Sequence, residues 1–194
     1  MSKQNLNTYW AKLIIEELIR CGVDYFVISP GSRSTPLVAA AARNPKARTI
    51  VIVDERSSGF HALGYARACG KPAAVITTSG TAAANLYPAI IEASNDNIPM
   101  IALTADRPPE LIDTGENQTI DQIKMFGEYT RFSFDIPCPD KEISPQFVLS
   151  TIDQAFYKSA ACNAGPVHIN CRYRKPLEPA GTRLPKNYDK NLQS

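Results

Sequence analysis

The sequence of 194 residues lacks the features of several large classes of protein. No apolar run approaches the roughly 18 residues that a transmembrane helix needs, so we predict no membrane span. Polar residues follow Met1, and we therefore expect no secretory signal peptide. The net charge is only +2, from 21 basic and 19 acidic residues, which provides no strongly basic surface for nucleic acid or a membrane.

Patterns for disulfides and bound metals are also missing. The five cysteines are odd in number, scattered and without a CxxC pair, which favours free thiols in a reducing cytoplasm. Two histidines, His61 and His168, are too few to indicate a zinc site built by this chain. His61 falls in a predicted helix and is interpreted as a packed or solvated residue. We therefore predict a cytoplasmic protein with no metal ligands in this sequence.

The sequence instead alternates short apolar segments with helical ones, and 44% apolar residues suffice for one full core. Apolar runs bounded by polar turns predict strands at 25–28, 50–53, 73–77, 100–104, 131–134 and 167–170. Helical spacing predicts helices at 7–20, 37–42, 57–69, 82–93, 123–126 and 144–161. The segment 111–121 is polar and is predicted to be a loop. This alternation is typical of an α/β fold, an open parallel sheet of about six strands with helices on both faces.

Polar turns follow the first four predicted strands, near Ser29, Asp54, Thr78 and Ala105. They are 25, 24 and 27 residues apart, and each interval fits one helix and one strand. Because parallel crossover connections are right-handed and do not knot, all four turns should emerge at one edge of the sheet. Open α/β sheets bind ligands at that edge, so we predict the functional site there.

Glu55 is the main candidate for acid–base chemistry. It directly follows a predicted strand and begins a helix, where the helix dipole favours an anion and burial favours the neutral acid. A carboxyl group in that position suits proton transfer or a strong hydrogen bond to a nitrogen base. The alternative is that Asp54 or Glu55 only caps the following helix.

The turn SPGSRSTP suits an anion. Gly31 permits close approach of the backbone to a ligand, and Arg33 offers two parallel donors to a carboxylate or phosphate. Thr35 and Pro36 are predicted as the N-cap and first residue of the next helix. The alternative is a helix cap beside a solvated arginine. The spacing is not that of a phosphate-binding P-loop.

The other two turns carry similar groups. The segment Thr78-Ser79-Gly80-Thr81 offers hydroxyls and a glycine for close contact with a flat or anionic ligand. It lacks the glycine fingerprint of dinucleotide-binding folds, which disfavours a Rossmann-like nucleotide module. Arg107 precedes two prolines, which restrict the backbone that carries its guanidinium. The alternative for this turn is a surface ion pair of Asp106.

These turns together resemble the N-terminal, pyrimidine-binding (PYR) domain of thiamine-diphosphate enzymes. The resemblance covers about residues 9–170 and rests on SPGSRSTPL, VDERSSGFHALG, TTSGTAAANLYPAIIEA, LTADRPPEL and GENQTIDQIKMFG. Three of them, SPGSRSTPL, LTADRPPEL and GENQTIDQIKMFG, are similar to segments of synthases of menaquinone biosynthesis. The chain departs from the family pattern after GPVHIN, where an aliphatic residue, a proline and an aromatic residue are usual. Here Cys171-Arg172-Tyr173-Arg174 follows instead.

The resemblance implies roles for residues of all four turns. Glu55 would hydrogen-bond the aminopyrimidine of thiamine diphosphate and favour the imino tautomer that removes the thiazolium C2 proton. Gly80 and Thr81 would line the pyrimidine pocket. The implied reaction decarboxylates 2-oxoglutarate and adds the succinyl-semialdehyde carbanion to isochorismate. The carboxylates of isochorismate would be held by Ser32, Arg33, Arg107, Asn117 and Gln118.

The resemblance also implies that this chain forms only part of an active site. The family binds Mg²⁺ and the diphosphate through a GDG motif, and this sequence contains none. We expect a PYR domain over residues 1–175 and a linker or tail over 176–194. The diphosphate-binding domain of a neighbouring subunit would complete the site. An alternative is a separately encoded PYR-type subunit of a small 2-keto-acid decarboxylase, although such an enzyme has no need for the whole isochorismate-binding set.

The predicted helices 57–69 and 82–93 suggest self-association as a homodimer or larger assembly. Their small and apolar residues form a stripe wider than one sheet face requires. The residues expected to be presented to a partner are Phe60, Leu63, Gly64, Leu86 and Ile90. The alternative is that both helices simply face the core of a monomer.

Overall fold

A computed structural model describes residues 5–179, 188, 189 and 192. These residues form a six-stranded, all-parallel sheet in the order β2-β1-β3-β4-β6-β5. The strands are β1 (Tyr25–Ile28), β2 (Arg48–Val51), β3 (Ala73–Thr77), β4 (Met100–Asp106), β5 (Phe132–Ile136) and β6 (Pro166–Arg172). The α-helices are α1 (Leu6–Arg20), α2 (Thr35–Arg43), α3 (Glu55–Cys69), α4 (Thr81–Ala84), α5 (Tyr87–Asn95) and α6 (Pro145–Ala160). The predicted α/β fold is confirmed.

Helices cover both faces of the sheet, and each face has its own apolar cluster. Helices α1, α2 and α6 pack on one face around residues such as Trp10 and Ile152. Helices α3 and α5 pack on the other face around Leu63 and Ile90. The central strands β3 and β4 are buried along their whole length, because a parallel strand covered on both faces has no solvated side.

The second strand differs from its prediction. An apolar run at 50–53 indicated a buried strand, but β2 occupies Arg48–Val51 and is mostly exposed. Val51 is 62% and Val53 80% exposed. The reason lies in the strand order, which leaves β2 at the edge of the sheet with β1 as its only neighbour. Residue type alone does not distinguish an edge strand from a central one.

Several predicted helices also differ from the structure. The helix predicted at 82–93 is divided into α4 and α5, because Pro88 near the start of α5 has no N–H to continue the first helix. No α-helix forms at 123–126, where Lys124 adopts a left-handed φ of 52°. Turns occupy that segment and a short 3-10 helix follows at Gly127–Tyr129. Helix α2 begins at Thr35 with Ser34 as its N-cap, one residue earlier than predicted.

Most residues expected to be presented to a partner face the core instead. Leu63, Leu86 and Ile90 are buried between α3, α5 and the sheet, so their expected exposure is wrong. Phe60 and Gly64 remain exposed on α3. The width of the apolar stripe is therefore explained largely by packing within the chain.

The described part of the segment 176–194 contacts the domain rather than fraying from it. Leu177 is buried, and the Asn7 amide donates to the carbonyls of Arg174 and Pro176 at 2.6 and 3.0 Å. The indole N–H of Trp10 donates to the Tyr188 hydroxyl at 2.9 Å. The rest of the predicted tail lies outside the described residues, and the domain boundary stays a prediction. No helix in the described ranges is long and apolar enough to cross a membrane.

Candidate functional site

A cavity of about 400 Å³ lies at the carboxyl ends of β1, β3 and β4. All four predicted turns contribute to it, as the un-knotted parallel topology requires. Six of the eight predicted site residues line it, namely Ser32, Arg33, Glu55, Arg107, Asn117 and Gln118. The other lining residues are Pro30, Gly31, Thr78, Glu116, Lys175 and Leu177.

Asp54, and not Glu55, caps helix α3. The Asp54 carboxylate accepts a hydrogen bond from the Ser57 N–H at 2.7 Å, and its hydrogen bonds to Ser57 lower the pKa of Asp54. Glu55 is the first residue of the helix, half-buried, and lines the cavity. Among the described residues none donates a hydrogen bond to the Glu55 carboxylate. Its carboxyl group is therefore available to a ligand.

Arg33 and Arg107 bring two buried positive charges to one cavity, with side chains only 6% and 7% exposed. Burial, and then the charge of Arg107, lowers the pKa of Arg33. Arg33 Nη1 donates to the Tyr173 carbonyl at 2.9 Å. Two like charges taken out of water are costly unless an anion balances them, so the cavity favours a ligand with carboxylates or phosphates.

The guanidinium of Arg107 is held from the side of the third turn. It donates to the Ser79 hydroxyl and to the Asn117 carbonyl. Its Nε is buried and has no partner within the described part of the chain. A buried donor without a partner is uncommon in folded proteins. Arg107 therefore joins β4, the third turn and the 116–118 loop at the cavity wall.

Gly31 allows the first and third turns to touch. A Cβ atom at Gly31 would lie 2.2 Å from Thr78 Cβ, which is far inside van der Waals contact. The backbone of the first turn therefore packs directly against the third turn at the cavity wall. Only glycine permits this approach, as its place in the SPGSRSTP motif suggested.

Gly80 and Thr81 lie beside the cavity and are not among its lining residues. Gly80 has a φ of +77°, and a Cβ there would lie 2.8 Å from the Gln118 backbone oxygen. Gln118 has a positive φ of 57° itself and donates from Nε2 to the Ser79 carbonyl at 2.9 Å. The glycine thus lets the 116–118 loop lie against the third turn. A role of Gly80 and Thr81 toward the pyrimidine stays a prediction.

Residues 9–125 match the family model described as thiamine pyrophosphate enzyme, N-terminal TPP binding domain. The chain belongs to this family. Thiamine pyrophosphate (TPP) is another name for thiamine diphosphate, and the assignment agrees with the fold and with the position of the cavity at the strand ends.

Among the curated relatives, three named 2-succinyl-5-enolpyruvyl-6-hydroxy-3-cyclohexene-1-carboxylate synthase illustrate the similarity. The protein from Salinibacter ruber is 57% identical over 173 residues, which are 89% of this chain and 29% of the relative. The one from Rubrobacter xylanophilus is 58% identical over 173 residues, 89% of this chain and 30% of the relative. The one from Chlorobium phaeovibrioides is 51% identical over 194 residues, 100% of this chain and 33% of the relative. The chain spans about a third of the length of these relatives.

Several residues of this TPP-binding domain support the cavity without having been predicted. A surface ion pair of Asp106 was the alternative for the fourth turn, but Asp106 is fully buried and lies 3.5 Å from the guanidinium of Arg172. Burial raises the pKa of Asp106. Gln122 receives the Gly80 N–H at 2.8 Å and donates to Asn170 Oδ1 at 2.8 Å. One sequence signal for this network was available, since Arg172 ends an apolar strand where a buried charge is unusual.

Proposed function

We propose that this chain is the pyrimidine-binding domain of a thiamine-diphosphate-dependent synthase of menaquinone biosynthesis. The synthase would decarboxylate 2-oxoglutarate and transfer the remaining four-carbon unit to isochorismate. The observation that carries the proposal is that Glu55 shares one cavity with two buried arginines, Arg33 and Arg107. The names of the relatives, which are those of a synthase, support a synthase rather than this particular sequence of steps.

Glu55 fits the aminopyrimidine ring of the cofactor. Its carboxyl group lines the cavity, is not used by the helix cap, and is half-buried, which favours a short hydrogen bond to a ring nitrogen. Glu55 would share its proton with that nitrogen, and the third turn with Gly80 and Thr81 would lie along the ring. When bound, thiamine diphosphate would supply an acidic carbon that, once deprotonated, can add to the oxo group of a 2-oxo acid and accept the electron pair left when its carboxylate departs as carbon dioxide. Mg²⁺ and the diphosphate would be held by residues outside this chain.

The arginine half of the cavity fits isochorismate, which carries two carboxylates. Arg33 and Arg107 both line the cavity and would balance these charges. Ser32, Asn117 and Gln118 are exposed at the cavity and would add neutral hydrogen bonds. A small 2-keto acid has one carboxylate and gives no reason for two buried arginines. The synthase is therefore favoured over a separately encoded decarboxylase subunit.

We also propose that a diphosphate-binding domain of a neighbouring subunit completes the site, within a homodimer or larger assembly. Phe60 on α3 and Tyr87 on α5 are 42% and 37% exposed, and Gly64 of α3 is exposed as well. Light scattering at tens of micromolar should give a mass above 21.3 kDa for this chain. A mass of one chain at every concentration would contradict contact through these helices.

The experiment for Glu55 uses the complete enzyme, in which this chain is joined to the domains that it lacks. Glu55→Gln should slow hydrogen–deuterium exchange at C2 of bound thiamine diphosphate by about 10²- to 10⁴-fold, because an amide cannot share a proton as the carboxyl group does. Glu92→Gln on the exposed surface of α5 removes the same charge away from the cavity and is the matched control. Unchanged exchange in the Glu55 variant would reject its role.

A further test uses this chain by itself. It should show no turnover of 2-oxoglutarate with isochorismate and only weak binding of thiamine diphosphate in calorimetry, because no GDG motif is present to hold Mg²⁺ and the diphosphate. Turnover or micromolar binding by the isolated chain would contradict the proposed division of the site.

A further inference from the structure

The end of strand β6 contacts both arginines of the cavity. Arg172 is the last residue of the strand, and its Nη1 donates to the Arg107 carbonyl at 2.9 Å. The next residue, Tyr173, accepts the hydrogen bond of Arg33 Nη1 at its carbonyl. Two neighbouring residues of one strand end therefore hold the two positive charges that line the cavity.

The backbone of Arg107 is held on both sides by one buried ion pair. Its N–H donates to Asp106 Oδ1 at 2.7 Å, and its carbonyl accepts from Arg172. Asp106 Oδ2 lies 3.5 Å from Arg172 Nη1 and also accepts from the Asn170 amide at 2.8 Å. Pro108 follows directly and restricts the chain further. The ion pair thus determines the point from which the Arg107 side chain extends.

The contacts of Arg172 use several donors of its guanidinium group at once. Nε of Arg172 donates to both carboxylate oxygens of Asp135, at 3.0 and 2.8 Å, while Nη1 reaches Arg107. The planar guanidinium makes these contacts at once because its donors point in fixed directions, whereas a lysine has a single nitrogen. The side chain is 5% exposed, so a charge left without these partners would be costly.

We propose that Arg172 is a positioning residue for isochorismate binding, acting through Arg107. Its ion pair with Asp106 holds the Arg107 backbone so that the guanidinium points into the cavity between Ser79 and Asn117. The proposal rests on the proposed function, since it takes isochorismate as the ligand of Arg107. A purely structural role, in which Arg172 only stabilises the end of β6, is the competing explanation.

The test compares Arg172→Met, Arg172→Lys and Arg107→Met in the full chain, with isochorismate as the titrant and NMR chemical shifts as the readout. Arg172→Met should weaken binding about tenfold, because a displacement of about 1 Å in a binding group has effects of that order or larger. Arg172→Lys keeps the positive charge but lacks the several fixed donors of the guanidinium, so it should recover only part of the affinity. In the Arg107→Met background, Arg172→Met should change the affinity less than about twofold, as expected for residues that act as one unit.

A folded Arg172→Met chain with unchanged affinity would overturn the proposal. So would the same loss of affinity in the Arg107→Met background, because that loss would not act through Arg107. If Arg172→Met does not fold, Arg172→Lys provides both comparisons.

The Nε–H signal of Arg107 distinguishes failure of this proposal from failure of the proposed function. It should be slowly exchanging in the unsubstituted chain, because this group is buried, and exchange faster in Arg172→Lys. If the complete enzyme, in which this chain is joined to the domains that it lacks, does not bind isochorismate, the proposed ligand is wrong. In that case, an Arg107 Nε–H signal with unchanged exchange in Arg172→Lys would also overturn the proposal that Arg172 positions Arg107. Faster exchange would support that proposal.

Discussion

Lowering the pH should destabilise this protein through one buried histidine, His168. The Thr104 hydroxyl donates to Asn170 Oδ1 at 2.9 Å, so it accepts the N–H of His168 Nε2 at 2.7 Å. A second proton would have to enter at Nδ1, which is buried and has no partner within the described residues. Burial accordingly lowers the pKa of His168 from 6.5 to about 3.

The sign of the effect follows from the lowered pKa. Between pH 6.5 and about 3 the unfolded chain binds a proton at His168 that the folded chain does not, so stability falls as the pH falls. Integration between pH 7 and pH 5 gives a loss of about 2 kcal/mol in the free energy of unfolding from this residue alone. The loss should continue toward pH 3 and then level off.

Urea unfolding at several pH values, compared between the unsubstituted chain and His168→Gln, measures this contribution. The variant should lose about 2 kcal/mol less between pH 7 and pH 5. The raised pKa of Asp106 makes the folded chain more stable as the pH falls, which is opposite to the effect of His168. Both proteins contain Asp106, so its contribution cancels when their stabilities are subtracted. His61→Gln on helix α3 replaces the chain's other histidine, leaves His168 in place and is the matched control. Equal pH dependence in His168→Gln and the unsubstituted chain would refute the reasoning.

Two further predictions concern the turns. Gly31→Ala should lower the free energy of unfolding by about 1–3 kcal/mol in urea titrations, because its Cβ overlaps Thr78. Gly64 lies on the exposed surface of α3, where an added Cβ meets no atom within 4 Å, so Gly64→Ala should instead raise the free energy of unfolding by about 0.5–1 kcal/mol. Equal stability of the two variants would contradict the close contact of Gly31 with Thr78. Asp54→Ala should lower the urea midpoint because α3 loses its cap, whereas Glu55→Gln should not; the reverse order would exchange their assigned roles.

The sequence alone predicted the succession of strands and helices along the chain and the sheet edge at which the cavity lies. Apolar patterns and turn residues are local signals that predict the strands and the turns that follow them. Because the crossover connections are right-handed, these turns are expected at one edge of the sheet. That is why Arg33 and Arg107, 74 positions apart in the chain, were expected together and do line one cavity. Confirmed elements such as α1 and β3 have strong periodicity or uninterrupted apolar runs.

Local sequence signals were insufficient where the same residues were compatible with two different structures. Asp54 and Glu55 both suit a helix N-terminus, and only the orientation of the Asp54 carboxylate toward the Ser57 N–H shows which one caps α3. The apolar run at 50–53 resembles a buried strand, yet its place in the strand order exposes it. Such choices depend on neighbours that are not adjacent in sequence.

Only the tertiary structure decided what holds the two arginines. Arg33 contacts Tyr173 across 140 positions of sequence, and Arg107 contacts Arg172 across 65. These pairs meet because β6 lies beside β4 in the sheet, and no periodicity or motif in the sequence specifies that order. A hydrogen bond forms between groups that the fold brings within about 3 Å, so its partners become known only when the strands are in place.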